Sequence, residues 1–490
     1  MSQQELAALK AAAIDGRAQT IFYRLTQLQK LRDTLVEQAN QLQDAIKSDS
    51  GVTASEAKIE YSLALTNLRT RYDELADFEK ELEAEYTVAK GKNDPSRRLG
   101  VGTVIIKPSS HSLFYSTIAP LASAIAAGNV IIIQFENSTR SLPSLLKSLI
   151  KPALDHDSIV FASNTPQLDT PHVVVSSATT TSAPPANHVV SPTSALSIAL
   201  VDRNANFDLA AQQLVNARFS HRGRSPHAPD LVLVNEFAKK DLLQALVRAG
   251  IASADSTPLA NGALEKRKSA DSSLKSLLSD LEKSDARIIV QESSGAVVDL
   301  PRRVPSLLTR KIDQPALLIH SIRSLDDAID FLNSEGQTYL TASYFADNAS
   351  AKYLSQFIPA QASLVNAIPA EILVGPAFPL HWPANPDPAQ RFSTDMFSVA
   401  RPAFVGSKGP LDKAGLTAET GERNAAVQKL FLQAVEKLPE KKRRKQLAAG
   451  FGFFEQAFIL HFGFAVLTTL ASLGGAGWWL KNGRGWRPWR

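Results

Sequence analysis

LASAIAAGNVIIIQ, residues 121–134, decides how this chain is read. Its first half is small and apolar and ends at Gly128-Asn129, two residues that readily take the left-handed backbone closing a helix. Its second half, VIII at 130–133, is a β-branched run too short for a helix and suits a buried strand. A helix over about 118–127 leads into that strand, and a second β-branched stretch at 99–106 lies upstream, so the three form a β-α-β unit. Working outward, short apolar runs at 173–175, 196–201, 231–234, 288–290 and 316–319 predict further strands. Helical periodicity at 207–219 and 325–333 falls between them. Alternation of the two element types predicts the α/β class with mainly parallel sheets.

Before this core the chain from about Gln3 to Glu85 is rich in Ala, Leu, Gln, Glu and Lys, with Phe22, Leu25, Leu28, Leu31 and Leu35 at helical spacing. Several amphipathic helices are expected, and Ser48-Asp49-Ser50-Gly51 is a turn signal that interrupts any coiled coil running through it. Residues 176–192, rich in Ser, Thr, Ala and Pro, and the proline-dense stretch 369–388 read as loops. A polar linker then leads to the basic run Lys441-Lys442-Arg443-Arg444-Lys445 and a hydrophobic tail. No Asp, Glu, Lys or Arg occurs from Gln456 to Leu480, long enough for a membrane span of about 20 residues. Trp478 and Trp479 sit where an interfacial aromatic belt belongs, and basic residues flank both ends. His461 and Gly474-Gly475 weaken the same signal. A C-terminal transmembrane helix over 456–480 is expected, with the bulk of the chain in the cytosol.

With 490 residues, 44% apolar and 21% charged, the chain is long enough for two or three domains and ordinary for a folded protein. Part of the net charge of +5 is the basic run, and no zinc-finger, RNP-like or homeodomain pattern accompanies it, so nucleic acid is not an expected partner. Zero cysteines exclude disulfides, thiolate metal sites and thiol nucleophiles together.

Residues 121–134 resemble the segment of aldehyde dehydrogenases in which ALAAGN precedes a strand and KPSE, including the membrane-anchored fatty-aldehyde branch. ARFSHRGRSPHAPDLVLV from Ala217, SLDDAIDFLN from Ser324 and RFSTDMFS from Arg391 are similar to later family segments and stand in the same order. The resemblance implies an aldehyde dehydrogenase-like α/β fold, with a Rossmann-type cofactor domain and a second α/β domain. It also implies a thiolate that attacks the aldehyde and a nicotinamide that takes the hydride. Here Gly223-Arg224-Ser225-Pro226-His227-Ala228-Pro229-Asp230 puts Pro226 at the nucleophile position. Proline has no nucleophilic group.

Other positions implied by the resemblance are altered as well. The general-base glutamate aligns with Pro192, in Pro192-Thr193-Ser194-Ala195-Leu196, where no carboxylate can activate water. The oxyanion asparagine falls near His111. For the cofactor, the ribose-binding lysine aligns with Gln134, the glutamate after it with Asn137, and the glycine-rich turn with Ser177. A further glutamate aligns with Lys311. Both NAD and NADP are therefore expected to bind weakly or not at all.

Independently of the family, His221, Ser225, His227 and Asp230 supply the residue types of a hydrolytic triad, without a G-x-S-x-G elbow around Ser225. His111, His221 and His227 lack the helical spacing of a metal site, so no metal is expected. The sequence thus predicts a cofactor-domain-like unit over 1–216, a catalytic-like unit over 217–388, an oligomerisation-like strand over 389–405, a linker over 406–455 and the span. The expected function is that of a membrane-anchored, catalytically inactive binding or scaffolding protein, with a homodimer as the expected assembly. The alternative is an oxidoreductase acting on a lipophilic aldehyde by a non-thiol route.

Overall fold

The structure is a computed structural model that describes residues 2–77, 90, 97–178, 185–255, 272–283, 285–292, 295–303, 310–401, 421–438 and 453–482. Two units are separable, residues 1–405 and 406–490.

In the first unit, β2 (Thr103–Ile106), β3 (Val130–Gln134), β4 (Ile159–Ala162), β5 (His172–Ala178) and β6 (His188–Pro192) form a five-stranded parallel sheet ordered β4-β3-β2-β5-β6. The short β1 (Arg98–Gly100) lies outside it and pairs antiparallel with β14 (Ser398–Ala400). Strand alternation sends side chains to two cores. Val104, Ile106, Ile131 and Ile133 face the helices Ile21–Glu37, Ala54–Ala76 and Leu113–Ala126. Ile105, Val130 and Ile132 face Leu9 and Ala12 of the helix Gln3–Asp15. Period-two residues buried on both faces are what a parallel sheet covered by helices requires.

A seven-stranded sheet follows, ordered β13-β12-β7-β8-β11-β10-β9. Its members are β7 (Ser197–Val201), β8 (Leu231–Asn235), β9 (Arg287–Gln291), β10 (Ala296–Leu300), β11 (Ala316–Ile322), β12 (Tyr339–Phe345) and β13 (Ala360–Val365). Only β9 runs antiparallel, against β10. The helices Phe207–Phe219 and Lys239–Asp255 pack on one face and Ser272–Glu282, Leu325–Asn333 and Asn348–Phe357 on the other.

Several expectations change. The stretch 99–106 is two strands, broken at Gly102, whose φ of 123° only glycine adopts readily. The helix expected over 118–127 starts earlier, at Leu113. Residues 176–192 are not one loop, since Ser176, Ser177 and Ala178 of β5 pair with Val190, Ser191 and Pro192 of β6. Loop-like composition is overridden there by ladder hydrogen bonds, and Pro192 is tolerated because β6 is an edge strand. Strand β7 belongs to the second sheet, so the chain crosses between sheets before Ser197, upstream of the boundary expected after 216.

Residues 389–397 are packed into their own unit. Phe392 and Phe397 are buried, and Ala389 O accepts bonds from Asn67 and Arg71 of the helix Ala54–Ala76.

The second unit contains the helices Gly421–Val435 and Phe453–Asn482. Among the described residues no helix is long and apolar enough to cross a membrane, so the transmembrane helix expected over 456–480 is not supported. Polar positions dilute the apolar run. Thr468, Thr469 and Ser472 return their hydroxyls to carbonyls within the preceding turn, in a stretch that also carries His461. The basic run 441–445 lies outside the described residues.

Candidate functional site

The five-stranded order reverses direction between β2 and β5, a topological switch point where the loops leaving two parallel strands diverge and open a crevice. A cleft of about 460 Å³ lies there. Ser109, Ser110 and His111 reach it from the loop after β2, Ser177 from the end of β5, and Ser191, Pro192 and Thr193 from the end of β6. The opposite wall comes from the second sheet's side: Arg224 and Pro226 precede β8, and Lys311 and Asp313 precede β11. Arg140, from the N-cap of the helix Ser141–Ala153, and Pro376 and Ala377 complete the lining.

Pro226, Pro192, Ser177, His111 and Lys311, five positions singled out along the sequence, therefore meet at one cleft. Gln134 and Asn137 do not line it. The Gln134 amide is engaged locally, its Oε1 accepting from Thr165 Oγ1 at 2.8 Å and its Nε2 donating to Ser163 O at 3.5 Å, while Asn137 is exposed.

The segment carrying Pro226 is held by unusual backbone. His221, Arg222 and Gly223 have φ values of 48°, 58° and 71°, three consecutive left-handed residues. A Cβ on Gly223 would stand 2.4 Å from Gln314 C, so glycine is the only residue that fits against that backbone. The turn is fastened from outside by His221 N, which donates to Glu56 Oε1 at 2.7 Å.

Behind the wall lies a buried polar hub. Asp230 accepts from Arg218 Nη2 at 3.2 Å, Lys311 Nζ at 2.8 Å, Ser197 N at 2.8 Å and Ile312 N at 3.1 Å. Lys311 also donates to Pro226 O at 2.6 Å. This one carboxylate ties the starts of β7 and β8 to the Lys311 loop. Burial pushes the Lys311 ammonium down from its ordinary value while Asp230 pulls it back up.

The histidines are not poised as acids or bases. His111 is pushed down to about 3 by burial, with His221 adding to the effect, and its Nε2 donates to Leu373 O at 3.0 Å. His227 is driven well below the ordinary imidazole range by burial, and its ring packs edge-on against Phe378 with 4.4 Å between centroids. Neither ring nitrogen of His227 has a hydrogen-bond partner, and Ser225 Oγ instead accepts from His227 N at 3.4 Å. With Asp230 committed to two cations, the triad types at 221–230 do not assemble into a Ser-His-Asp relay. Asp313 is the one carboxylate among the described lining residues. Reading the sequence missed Arg140 and Ser191, which carry no local motif, and passed over Asp313, two residues after Lys311. Arg224 stood inside a quoted segment without being weighed.

The aldehyde dehydrogenase family model matches residues 3–162. Among curated proteins, the chain is 26% identical over 253 residues to 4,4'-diaponeurosporen-aldehyde dehydrogenase of Staphylococcus aureus, covering 46% of this chain and 53% of that one. It is 26% identical over 366 residues to aldehyde dehydrogenase family 3 member B1 of Mus musculus, covering 68% and 75%. Of solved structures, the substrate-bound Staphylococcus aureus AldH superposes with a TM-score of 0.65 at 17% identity, over 88% of this chain and all of that one. This chain is similar to the aldehyde dehydrogenases over residues 3–162 and shares their fold. The NADP-dependent glyceraldehyde-3-phosphate dehydrogenase of Bacillus halodurans shares the fold as well, with a TM-score of 0.63 at 18% identity, over 81% of this chain and 89% of that one. The segment 121–134, which carried the resemblance, falls inside the matched region.

Proposed function

We propose that this protein does not run the oxidation of the aldehyde dehydrogenases and instead uses the cleft as a binding surface. The observation that carries the reading is Pro226 in the cleft wall, where the resemblance puts the thiolate, in a chain with no cysteine at all. The general-base position is Pro192, in the same cleft. Nucleophile and base act as a unit, so losing both removes the covalent route.

For the cofactor, NAD or NADP is the group the relatives suggest, and the residues here fit it poorly. Gln134 spends its amide on Thr165 and Ser163, and Ser177 puts a side chain where close backbone approach to a pyrophosphate needs glycine. No step is routed through a nicotinamide. Titration of the full chain with each dinucleotide, followed by calorimetry, tests this part, and a dissociation constant in the low micromolar range refutes it.

The reading as a whole is tested by incubating purified full-length protein with medium- and long-chain aldehydes and NAD or NADP. No turnover above background is expected. Sustained turnover that a cleft substitution abolishes overturns the proposal in favour of an oxidoreductase working by a non-thiol route. Two further parts of the proposal concern assembly and location. A homodimer is supported by the rat relative named as dimeric, and light scattering decides it. Membrane association through the C-terminal unit, with the rest of the chain in the cytosol, is supported by exposed Leu460, Phe462, Phe464, Leu467 and Leu470. Full-length protein recovered from the soluble fraction at neutral salt would rule it out.

A further inference from the structure

We propose that the helix Gly421–Val435 lies flat on a membrane surface rich in anionic headgroups, with its apolar stripe in the acyl boundary. This rests on the reading of the C-terminal unit as membrane-associated and names the lipid that unit selects. The stripe is set by spacing and exposure together. Val427, Leu430, Phe431, Ala434 and Val435 recur at i, i+3, i+4, i+7 and i+8, which is one face of a helix. Val427 is 48% exposed, Leu430 45%, Phe431 57% and Val435 58%. Lys429 and Gln433 stand on the opposite side and are exposed as well. A helix packed into a folded core buries such a stripe, and here it meets solvent.

Charge decides what covers it. Residues 406–490 hold 14 Lys and Arg against six Asp and Glu, a net of +8, in a chain whose total is +5. Residues 1–405 therefore carry −3, so the two units differ in sign and the positive excess lies in the unit that holds the stripe. A second copy of this unit would be repelled by that charge. A soluble polyanion would answer the charge and leave the apolar stripe in water. An anionic lipid surface satisfies both, because headgroups attract the cations while the acyl boundary takes the apolar side chains.

A helix lying in the surface also fits the dimensions. Among the described residues no helix is long and apolar enough to cross a membrane. An interfacial helix needs one apolar face, not an apolar circumference. The helix Phe453–Asn482 of the same unit adds apolar area through exposed Leu460, Phe464 and Leu467.

The experiment is flotation of the full chain with vesicles of phosphatidylcholine alone and of equal parts phosphatidylcholine and phosphatidylserine. The mixed vesicles should hold the protein about tenfold more strongly or better, and salt at about 0.5 M should remove that advantage. Leu430→Gln and Phe431→Gln should each weaken flotation about tenfold, as keeping one large apolar side chain out of the lipid does. Leu432→Gln, which is 58% exposed but off the stripe, should change it less than about threefold. All three substitutions leave the charge as it is, and thermal melts confirm that the variants are folded. Equal losses at 430 and 432 overturn the proposal, since the stripe is then not what enters the lipid. Equal binding to both vesicle types also overturns it, and leaves membrane association standing without lipid selection. Phe431→Gln turning a dimer into a monomer by light scattering, with flotation unchanged, assigns the stripe to a second copy and refutes the proposal. Binding to heparin without flotation refutes it in favour of a soluble polyanion. Failure to float with either vesicle refutes membrane association itself along with this inference.

Discussion

Asp230→Ala should be among the most damaging single changes in the chain. The Arg218 side chain is fully buried, Asp230 is 1% exposed and Lys311 11% exposed, so removing the carboxylate strands two cations out of water with nothing to replace it. It also orphans the buried N–H groups of Ser197 and Ile312, which no longer have an acceptor. Adding four hydrogen bonds one by one would overstate the cost, because the donors relax together and their energies are not independent. Breaking a buried pair from one side costs about 3–5 kcal/mol, and that is the expected loss. Converted to melting temperature for a unit of 405 residues it is a fall of roughly 4–6 °C. The assay is chemical denaturation monitored by tryptophan fluorescence and far-UV dichroism, with a melt as a second probe. Asp230→Asn should be nearly as damaging, since its amide turns a donor towards one of four donors. Adding Lys311→Met to Asp230→Asn should recover part of the loss by removing one stranded charge. A loss below about 1 kcal/mol for Asp230→Ala would refute the claim that this carboxylate holds the second sheet to the cleft wall.

Other outcomes follow from the same structure. Gly223→Ala combines a φ of 71° with a 2.4 Å approach to Gln314 C and should cost more than about 2 kcal/mol, whereas Gly336→Ala, at φ 60° with nothing within 4 Å, should cost only the conformational part of about 1 kcal/mol; equal urea midpoints for the two would show that the Gly223 contact does not matter. Glu60 is fully buried against Tyr115 N, at 3.2 Å, and desolvation raises its carboxyl from 4.5 to about 7. A raised folded-state value means that the folded protein holds the proton more tightly, so this contribution is complete below pH 4.5 and is lost as the pH rises through 7. Glu60→Gln should therefore match the parent at pH 4.5 and exceed it at pH 8, and a parent at least as stable at pH 8 would contradict this. Neither Pro226→Cys nor Pro226→Cys with Pro192→Glu should gain NAD-dependent aldehyde oxidation, measured as reduced dinucleotide at 340 nm, because hydride transfer still lacks a held nicotinamide. Clear turnover by the single variant would show that only the nucleophile had been lost.

Much of the fold was determined by the sequence alone, where the information is local. The helices Phe207–Phe219 and Leu325–Asn333 stand where their periodicity put them, because each buries one apolar stripe and is closed by nearby residues: Asn206 Oδ1 caps Leu209 N, and Ser324 Oγ caps Asp327 N. The α/β class followed from alternation in the same way, and the lack of thiol chemistry from a residue type that is not present. Strand β6 was hidden because Ser, Thr and Pro around it look like a loop, and only its pairing with β5 makes it a strand. The sheet that β7 joins depends on which neighbours the crossover helices bring to it, which no short window of sequence records. Arg140 and Arg224 illustrate the same limit at the cleft. Arg140 sits in no motif and Arg224 stands beside the position that drew notice, and they line one cleft only because the loops at a switch point and the wall before β8 converge in space. The absence of any thiol was thus legible from composition, while the set of side chains that meet at the cleft was decided by tertiary structure, since it depends on distances that folding alone sets.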